Sequence, residues 1–313
     1  MNDVGKISVI VPVYCAEKFI RQTMASLLVQ TYQNFEIIVI DDCPSDNTVK
    51  IIEEFMDERI TVLHNEKNMG VCKSRNRGIE ASSGDFVVFF DHDDIAPAEK
   101  LEKQVLFLDE NRSIDAVGGR IQDIDGEGNH IGTFNPVVLN NPKYIRAVLL
   151  FGGVFINSSV MYRTDIIKKN NIFFREKSYG LEDYLFLLEV SKKGDVSGIN
   201  DDVLFYRRYE GNTEKKILQT QKDLRDARFG EIRKFAFEAE GFSMTDEDFA
   251  LVNKIFVENP VGHALKLSFS DISDCCILFE KLLTQADELK LPNKNELQIA
   301  FRKFLSGRMV FIK

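Results

Sequence analysis

The five cysteines, Cys15, Cys43, Cys72, Cys275 and Cys276, contain no C-x-x-C pair, and the four histidines supply no zinc-finger spacing. A zinc finger is thereby excluded, and a reducing compartment fits the cysteine usage. Basic residues are in deficit: 40 Lys and Arg against 49 Asp and Glu leave a net charge of −9. Such a balance argues against broad electrostatic binding of nucleic acid, so any anionic ligand must be held by a local group of charges. Neither G-x-G-x-x-G nor G-x-x-x-x-G-K-[ST] occurs. Dinucleotide oxidoreductases and P-loop hydrolases lose their main support. The start "MNDVGKISVIVPVY" enters a strand pattern directly, with no basic segment, apolar core and small-residue cleavage site, so secretion is not expected. The longest apolar stretch, "AVLLFGGVFI" at 147–156, is far shorter than the about 20 residues that cross a bilayer and is broken by Gly152 and Gly153. No membrane span is expected.

What is present is a chain of 313 residues, 44% of them hydrophobic, enough for one large core or two smaller ones. Its first hundred residues alternate strand and helix signals, the pattern of a parallel sheet with helical crossovers. Strands are predicted at Ser8 to Val13, Glu36 to Ile40, Ile60 to His64 and in the run before Asp91. The spacing predicts helices over Lys18 to Gln30, around Val49 to Met56 after the turn "CPSDNT", and over Val71 to Ala81. From Lys100, the series Leu101, Val105, Leu108 predicts another helix, followed by a hairpin around Gly126 and Gly128, where the parallel pattern is expected to end. Asn157 to Tyr162 reads as a strand, Glu182 to Lys192 as a helix and Val203 to Tyr209 as a late strand. Beyond Thr213 the composition shifts to charged helices with scattered apolar positions at Ile217, Leu224, Ile232 and Phe235, an N-cap at Thr245 and a connection at Pro292. The expected organisation is an α/β domain over residues 1–213 and a helical extension over 214–313.

Ligands of open α/β sheets bind beyond the carboxyl ends of the strands. Tyr14, Asp42 and the acids of "GDFVVFFDHDDIAP" all fall at such ends. Asp91, Asp93 and Asp94 close an apolar run, and two unit charges about 4 Å apart repel by roughly 4 kcal/mol at an effective dielectric near 20. A solvated turn would tolerate them. So would a hard cation: Mg²⁺ or Mn²⁺ is commonly held by one or two carboxylates plus substrate phosphates, which suits Asp91-x-Asp93. Lys73, Arg75 and Arg77 follow Gly70 at a helix start, as phosphate receptors or as a solvated basic face. Glu182 and Asp183 open another helix, either as dipole compensation or as a site for a base.

Taken together, these residues resemble the family 2 glycosyltransferases with a GT-A fold. The resemblance runs in order through "SVIVPVYCAEKFIRQTMASLLVQTYQNFEIIVIDDCPSDNT", "NMGVCKSRNRGIEASSGDFVVFFDHDD", "EDYLF" and "YRRYEGNT", about two-thirds of the chain. It implies a mostly parallel twisted sheet flanked by helices, with a helical C-terminal extension, and inverting transfer of a sugar from a nucleoside-diphosphate donor, a UDP-sugar by preference, to an acceptor hydroxyl. By the same resemblance Pro12 and Tyr14 line the nucleotide base, Asp42 accepts from the uracil ring, and Arg75 faces the base or diphosphate. Asp91 faces the ribose and metal, Asp93 is the main ligand of Mn²⁺ or Mg²⁺ with Asp94 supporting, and Asp183 is the catalytic base.

Two positions depart from the family pattern. Cys15 stands where many relatives have Asn, and Tyr209 where relatives often carry a metal-reaching His. The second departure predicts weaker metal affinity, or a diphosphate held by Arg207 and Arg208 instead. The expected acceptor is a glycan, polyprenyl-linked at a bacterial inner membrane, in surface polysaccharide assembly. Its specificity would lie near Gly153 to Ser159 and in the C-terminal helices, neither of which has a readable code. The expected location is the cytoplasm, with peripheral membrane contact offered by the basic, apolar tail "FRKFLSGRMVFIK", whose composition fits a packed terminal helix better. Two other classes fit less well. A silent nucleotide-sugar-binding scaffold would not need Asp91, Asp93 and Asp183, and a sugar-nucleotide nucleotidyltransferase needs a Gly-rich basic loop that "PVYCAEKF" does not provide.

Overall fold

β1 (Ile7–Val13) is buried along its whole length, as a strand covered on both faces must be, and it forms the middle of the sheet. In the computed structural model, which describes residues 4–43, 45–133, 138–255 and 269–309, it pairs in parallel with β2 (Phe35–Asp41) on one side and β4 (Phe86–Phe89) on the other. β3 (Ile60–His64) extends the parallel set beyond β2. The crossovers are α1 (Ile20–Leu28), α2 (Thr48–Glu53) and α3 (Val71–Ala81). Pro44 of the predicted turn lies outside the described residues.

α3 comes unusually close to β1. A Cβ at Gly78 would stand 2.3 Å from the Ile10 side chain, so glycine at this mid-helix position is what permits the approach. That closeness seats Arg75, one turn earlier, beneath the strand ends.

After α4 (Lys100–Glu110) the sheet changes direction. β5 (Ile114–Ile124) and β6 (His130–Thr133) form the expected hairpin, α5 (Pro142–Val148) follows, and β7 (Met161–Arg163) pairs antiparallel with both β4 and β5. Then come α6 (Thr164–Lys169), α7 (Glu182–Ser191) and β8 (Asp195–Arg207), which returns parallel to β5. The parallel pattern therefore does not end at the hairpin. β8 also begins well before Val203 and stops before Tyr209.

The strand predicted from Asn157 is corrected as well: Asn157–Ser159 is a 3₁₀ turn and only Met161–Arg163 is strand. The serines explain it. The Ser159 hydroxyl and amide both donate to Ile156 O, at 2.7 and 2.9 Å, a local bond that competes with ladder pairing. The Ser158 hydroxyl is likewise taken, by the Asp91 amide at 3.1 Å.

The chain divides into two compact units, residues 1–140 with 155–216, and residues 141–154 with 217–313. Residues 141–154 thus join the C-terminal helices, unlike in a single cut near residue 213. α8 (Thr213–Thr220) spans the division, and α9 (Lys222–Ala239), α10 (Asp246–Ile255), α11 (Phe269–Glu288) and α12 (Lys294–Met309) build the second unit. Its core draws in Phe151, whose ring lies 5.5 Å from Phe237 and 5.3 Å from Phe301, and whose carbonyl accepts from Arg233 Nε at 2.7 Å. Ile217 and Ile232 are buried there, whereas Leu224 is exposed. Thr245 does cap α10: its hydroxyl accepts from the Asp248 amide while the Asp248 carboxylate accepts from its own. The last four residues of the predicted tail, 310–313, lie outside the described residues. No helix among the described residues is long and apolar enough to cross a membrane.

Candidate functional site

Because β1, β2, β3 and β4 are mutually parallel, their carboxyl ends share one edge of the sheet. Pro12 is buried inside β1, and Tyr14, just past its end, is 48% exposed, a free aromatic face beside buried Asp42. Asp42 accepts from Asn65 Nδ2 and the Met69 amide, both at 2.7 Å, and from the Gly70 amide at 2.8 Å. Three of a carboxylate's roughly four acceptor positions are used, so one more donor can be accommodated. Asp41 alongside binds His64 Nδ1 at 2.6 Å, a pairing of adjacent strand ends that the sequence did not suggest.

The acids after β4 are organised by two arginines. Arg75, almost fully buried, donates to Asp91 Oδ1 at 2.7 Å and to Glu182 Oε1 at 3.0 Å, with its guanidinium 5.2 Å from the Phe174 ring centroid. It joins the acids at the end of β4 to those opening α7, with one carboxylate on each terminal nitrogen. Burial alone would raise the Asp91 carboxyl; the Arg75 charge and hydrogen bond hold it below the ordinary value.

Arg207 is buried completely. Its amide donates to Asp94 Oδ1 at 3.0 Å, and its guanidinium donates to Asp93 O, Gly126 O and Gln22 Oε1 at 2.7, 3.0 and 2.8 Å. Arg208 pairs with Asp123 at 3.0 Å. For Arg207 the expectation of a diphosphate contact is corrected: it is buried and satisfies carbonyls that would otherwise be buried without donors, and so fixes the acidic loop's shape. Replacing Arg207 by Met should cost about 3 kcal/mol or more in urea unfolding, since it strands several buried acceptors. Arg208→Met, at a partly exposed pair, should cost under about 1 kcal/mol.

Asp93 is raised by burial and by the Asp91 charge, against the His92 charge and the Tyr209 hydroxyl, which donates to Asp93 Oδ2 at 3.0 Å. Tyr209 therefore reaches the acid itself, held edge-on by Phe19 at 4.8 Å. Asp94 is fully buried, so it supports the loop from beneath and does not offer an open ligand oxygen. Burial and the charges of Asp93 and Asp91 raise it well above the carboxylate range, and its Oδ2 has no hydrogen-bond partner. Behind it, buried Lys100 donates to Ser158 O at 2.8 Å and Gln104 Oε1 at 3.0 Å; burial pushes its pKa down to about 7, against the pull of Asp94. Sequence reasoning missed this lysine because "PAEKLEKQ" looks like a solvated helix start.

Among the described residues, no group of three or more His, Cys, Asp and Glu side chains could hold a metal by itself. The acid-rich loop with raised carboxyls nevertheless fits a hard cation shared with a ligand's own oxygens.

Asp183 sits half-buried in the first turn of α7, its Oδ1 accepting from the Tyr184 amide at 2.7 Å. Burial and the adjacent Glu182 charge, only partly offset by Arg75, push its pKa up to about 7. Glu182 differs: it is tied to Arg75 and to the Gly180 amide at 2.6 Å. Of two adjacent acids, one is locked in an ion pair and the other is poised to exchange a proton near neutral pH.

The family model described as Glycosyl transferase family 2 matches residues 8–170. An uncharacterised glycosyltransferase of Haemophilus influenzae is 32% identical over 71% of this chain and 72% of its own length. The UDP-Glc:alpha-D-GlcNAc-diphosphoundecaprenol beta-1,3-glucosyltransferase WfgD of Escherichia coli is 34% identical over 62% of this chain and 73% of its own. Among solved structures, Staphylococcus aureus TarS 1-349 in complex with UDP-GlcNAc superposes with a TM-score of 0.64 at 22% identity, covering 97% of this chain and 92% of that one, which shows a shared fold.

Proposed function

This chain belongs to glycosyl transferase family 2, and on that premise we propose that it moves a sugar from a UDP-sugar to an acceptor hydroxyl with inversion. The observation that carries the reading is the Arg75 bridge, which holds the acids after β4 and the acids opening α7 in one constellation. The acceptor hydroxyl donates its hydrogen bond to Asp183, and Asp183 takes the proton as the hydroxyl oxygen bonds to the anomeric carbon. The nucleoside diphosphate departs from the opposite face. Asp93, with Asp91 beside it, would hold Mg²⁺ or Mn²⁺, whose chemistry there is neutralisation of charge developing on the departing diphosphate. Tyr209 orients the Asp93 carboxylate, and no protein acid is needed for the leaving group, in contrast to a glycosidase.

Tyr14 and Asp42 take the uracil, by stacking and by accepting the ring N–H. The UDP-Glc donor of WfgD and the UDP-GlcNAc bound to TarS support UDP, and WfgD's diphosphoundecaprenol acceptor supports a polyprenyl-linked glycan in polysaccharide assembly. A panel of nucleoside diphosphates with Mn²⁺, read by thermal shift, tests the donor half. UDP at 100 times its Kd should stabilise by about 2.7 kcal/mol and exceed GDP at equal concentration. Asp93→Asn should remove the Mn²⁺-dependent part of this gain without lowering the free protein's melting temperature, since it relieves a half-buried carboxylate beside Asp91. A larger shift with GDP, or UDP binding indifferent to Mn²⁺ in the unmodified protein, would overturn the base or the cation assignment respectively.

A further inference from the structure

Cys15 and Cys43 occupy equivalent places on neighbouring strands. β1 and β2 run parallel with Val13 opposite Asp41, the Asp42 amide donates to Val13 O at 3.0 Å, and two residues past this last pair each chain carries a cysteine. Both have left-handed backbones, φ 50° at Cys15 and 56° at Cys43, a conformation that Gly and Asn adopt far more readily. Both are exposed. The loops that follow are stitched together: the Ala16 amide donates to Thr48 Oγ1 at 2.8 Å, the Glu17 amide to Asp46 at 3.1 Å and the Asn47 amide to Glu17 at 3.0 Å. Cys15 Sγ itself lies 3.6 Å from Ser45 Oγ, two residues beyond Cys43.

The last paired residues, Val13 and Asp41, stand at the ordinary strand spacing of about 4.8 Å, and two residues beyond them the cysteines would need a Cα separation of roughly 4.4–6.8 Å to bridge. Cys43 Sγ now donates to Asn65 O at 2.9 Å, so bridging requires side-chain rotation, which exposed positions allow. Cys72 and Cys275 offer the contrast: buried, with thiols pushed up to about 12, they are inert.

We propose that Cys15 and Cys43 are a redox-responsive dithiol whose closure into a disulfide weakens nucleotide binding at Tyr14 and Asp42. The second half rests on reading those two residues as nucleotide contacts. The oxidant is a low-molecular-weight disulfide. One cysteine loses its proton to solvent and its thiolate attacks that disulfide, forming a mixed disulfide and releasing one small thiolate. The other cysteine, deprotonated in turn, attacks the protein sulfur of the mixed disulfide and releases the second. The two protein thiols give up two electrons, and the small disulfide becomes two thiols after taking up the two protons. Closure withdraws Cys43 from Asn65 O, and Asn65 is one of the three donors that hold Asp42. Such exchange suits a reducing compartment, where protein disulfides are transient.

The test equilibrates the full chain with oxidised glutathione, maps peptides without reduction, and measures UDP affinity by calorimetry before and after. A Cys15–Cys43 cross-linked peptide, an affinity at least ten-fold weaker, and full recovery with dithiothreitol are expected. Cys15→Ser and Cys43→Ser should each abolish both the cross-link and the fall. Mixed adducts with glutathione only, or a bridge to another cysteine, would overturn the pairing. A bridged protein that binds UDP as tightly as the reduced one, while Tyr14→Ala weakens binding, would overturn the switch and leave the nucleotide reading standing. Reduced protein with no UDP affinity would overturn the nucleotide reading and the switch together, while the peptide map would still judge the bridge.

Discussion

Asp183→Asn should lower kcat for transfer to a true acceptor by about 10²- to 10⁴-fold while changing donor affinity little, because the amide keeps the size of the carboxylate and cannot take a proton. Glu182→Gln is the internal control. It shares the helix start, but its charge is paired with Arg75, so its effect should appear in stability before it appears in the chemical step. A more damaging Glu182→Gln, or near-normal transfer by Asp183→Asn, would reassign the base. The pH dependence gives a second handle. With the Asp183 pKa pushed up to about 7, the base form is lost as pH falls through 7, so kcat in the unmodified protein should rise across that value and then level. Stability runs the other way. Between the ordinary carboxylate range and pH 7 the folded protein binds the proton more tightly than the unfolded chain, so this group's contribution to stability falls as pH rises through that window. Asp183→Asn should therefore melt higher than the unmodified protein at pH 8 and alike at pH 4. Higher activity and lower stability would then trace to the same carboxylate.

Arg75→Met should cost about 3 kcal/mol in urea unfolding, because it leaves the half-buried Asp91 and Glu182 without their shared, buried cation. Its effect reaches beyond stability. Arg75 lowers both the Asp91 and the Asp183 carboxyls, so its removal should move the rising limb of the pH–rate profile above 7. Arg75→Lys should recover part of the stability. It should not restore both contacts, since one ammonium cannot span the two carboxylates as the planar fork does. A pH profile unmoved in Arg75→Met would separate Arg75 from the base and reduce it to a packing residue.

Much of the first hundred residues could be read in one dimension. β3 and α3 coincide with the segments predicted at Ile60 to His64 and Val71 to Ala81, because buried strands and one-sided helices write their period directly into the chain. The strand-end positions of Tyr14, Asp42 and Asp91 follow from the same periodicity, and the ordered blocks around them were enough to identify the family. Where a polar side chain finds its partner is a different matter. Nothing near "CKSRNRG" says that Arg75 binds acids 16 and 107 residues away, and nothing in "YRRYEG" separates buried Arg207 from partly exposed Arg208. Only the close approach of α3 to β1 and the return of β8 beside β5 decide those pairings. Residues 141–154 teach the same lesson, since Phe151 and Arg146 belong with the C-terminal helices through Phe301 and Glu240, far along the chain. Local periodicity comes from burial, which each segment records in its own residues. The protonation of Asp183 and the commitments of the arginines come from charges and dielectric assembled across the fold, which no single segment carries.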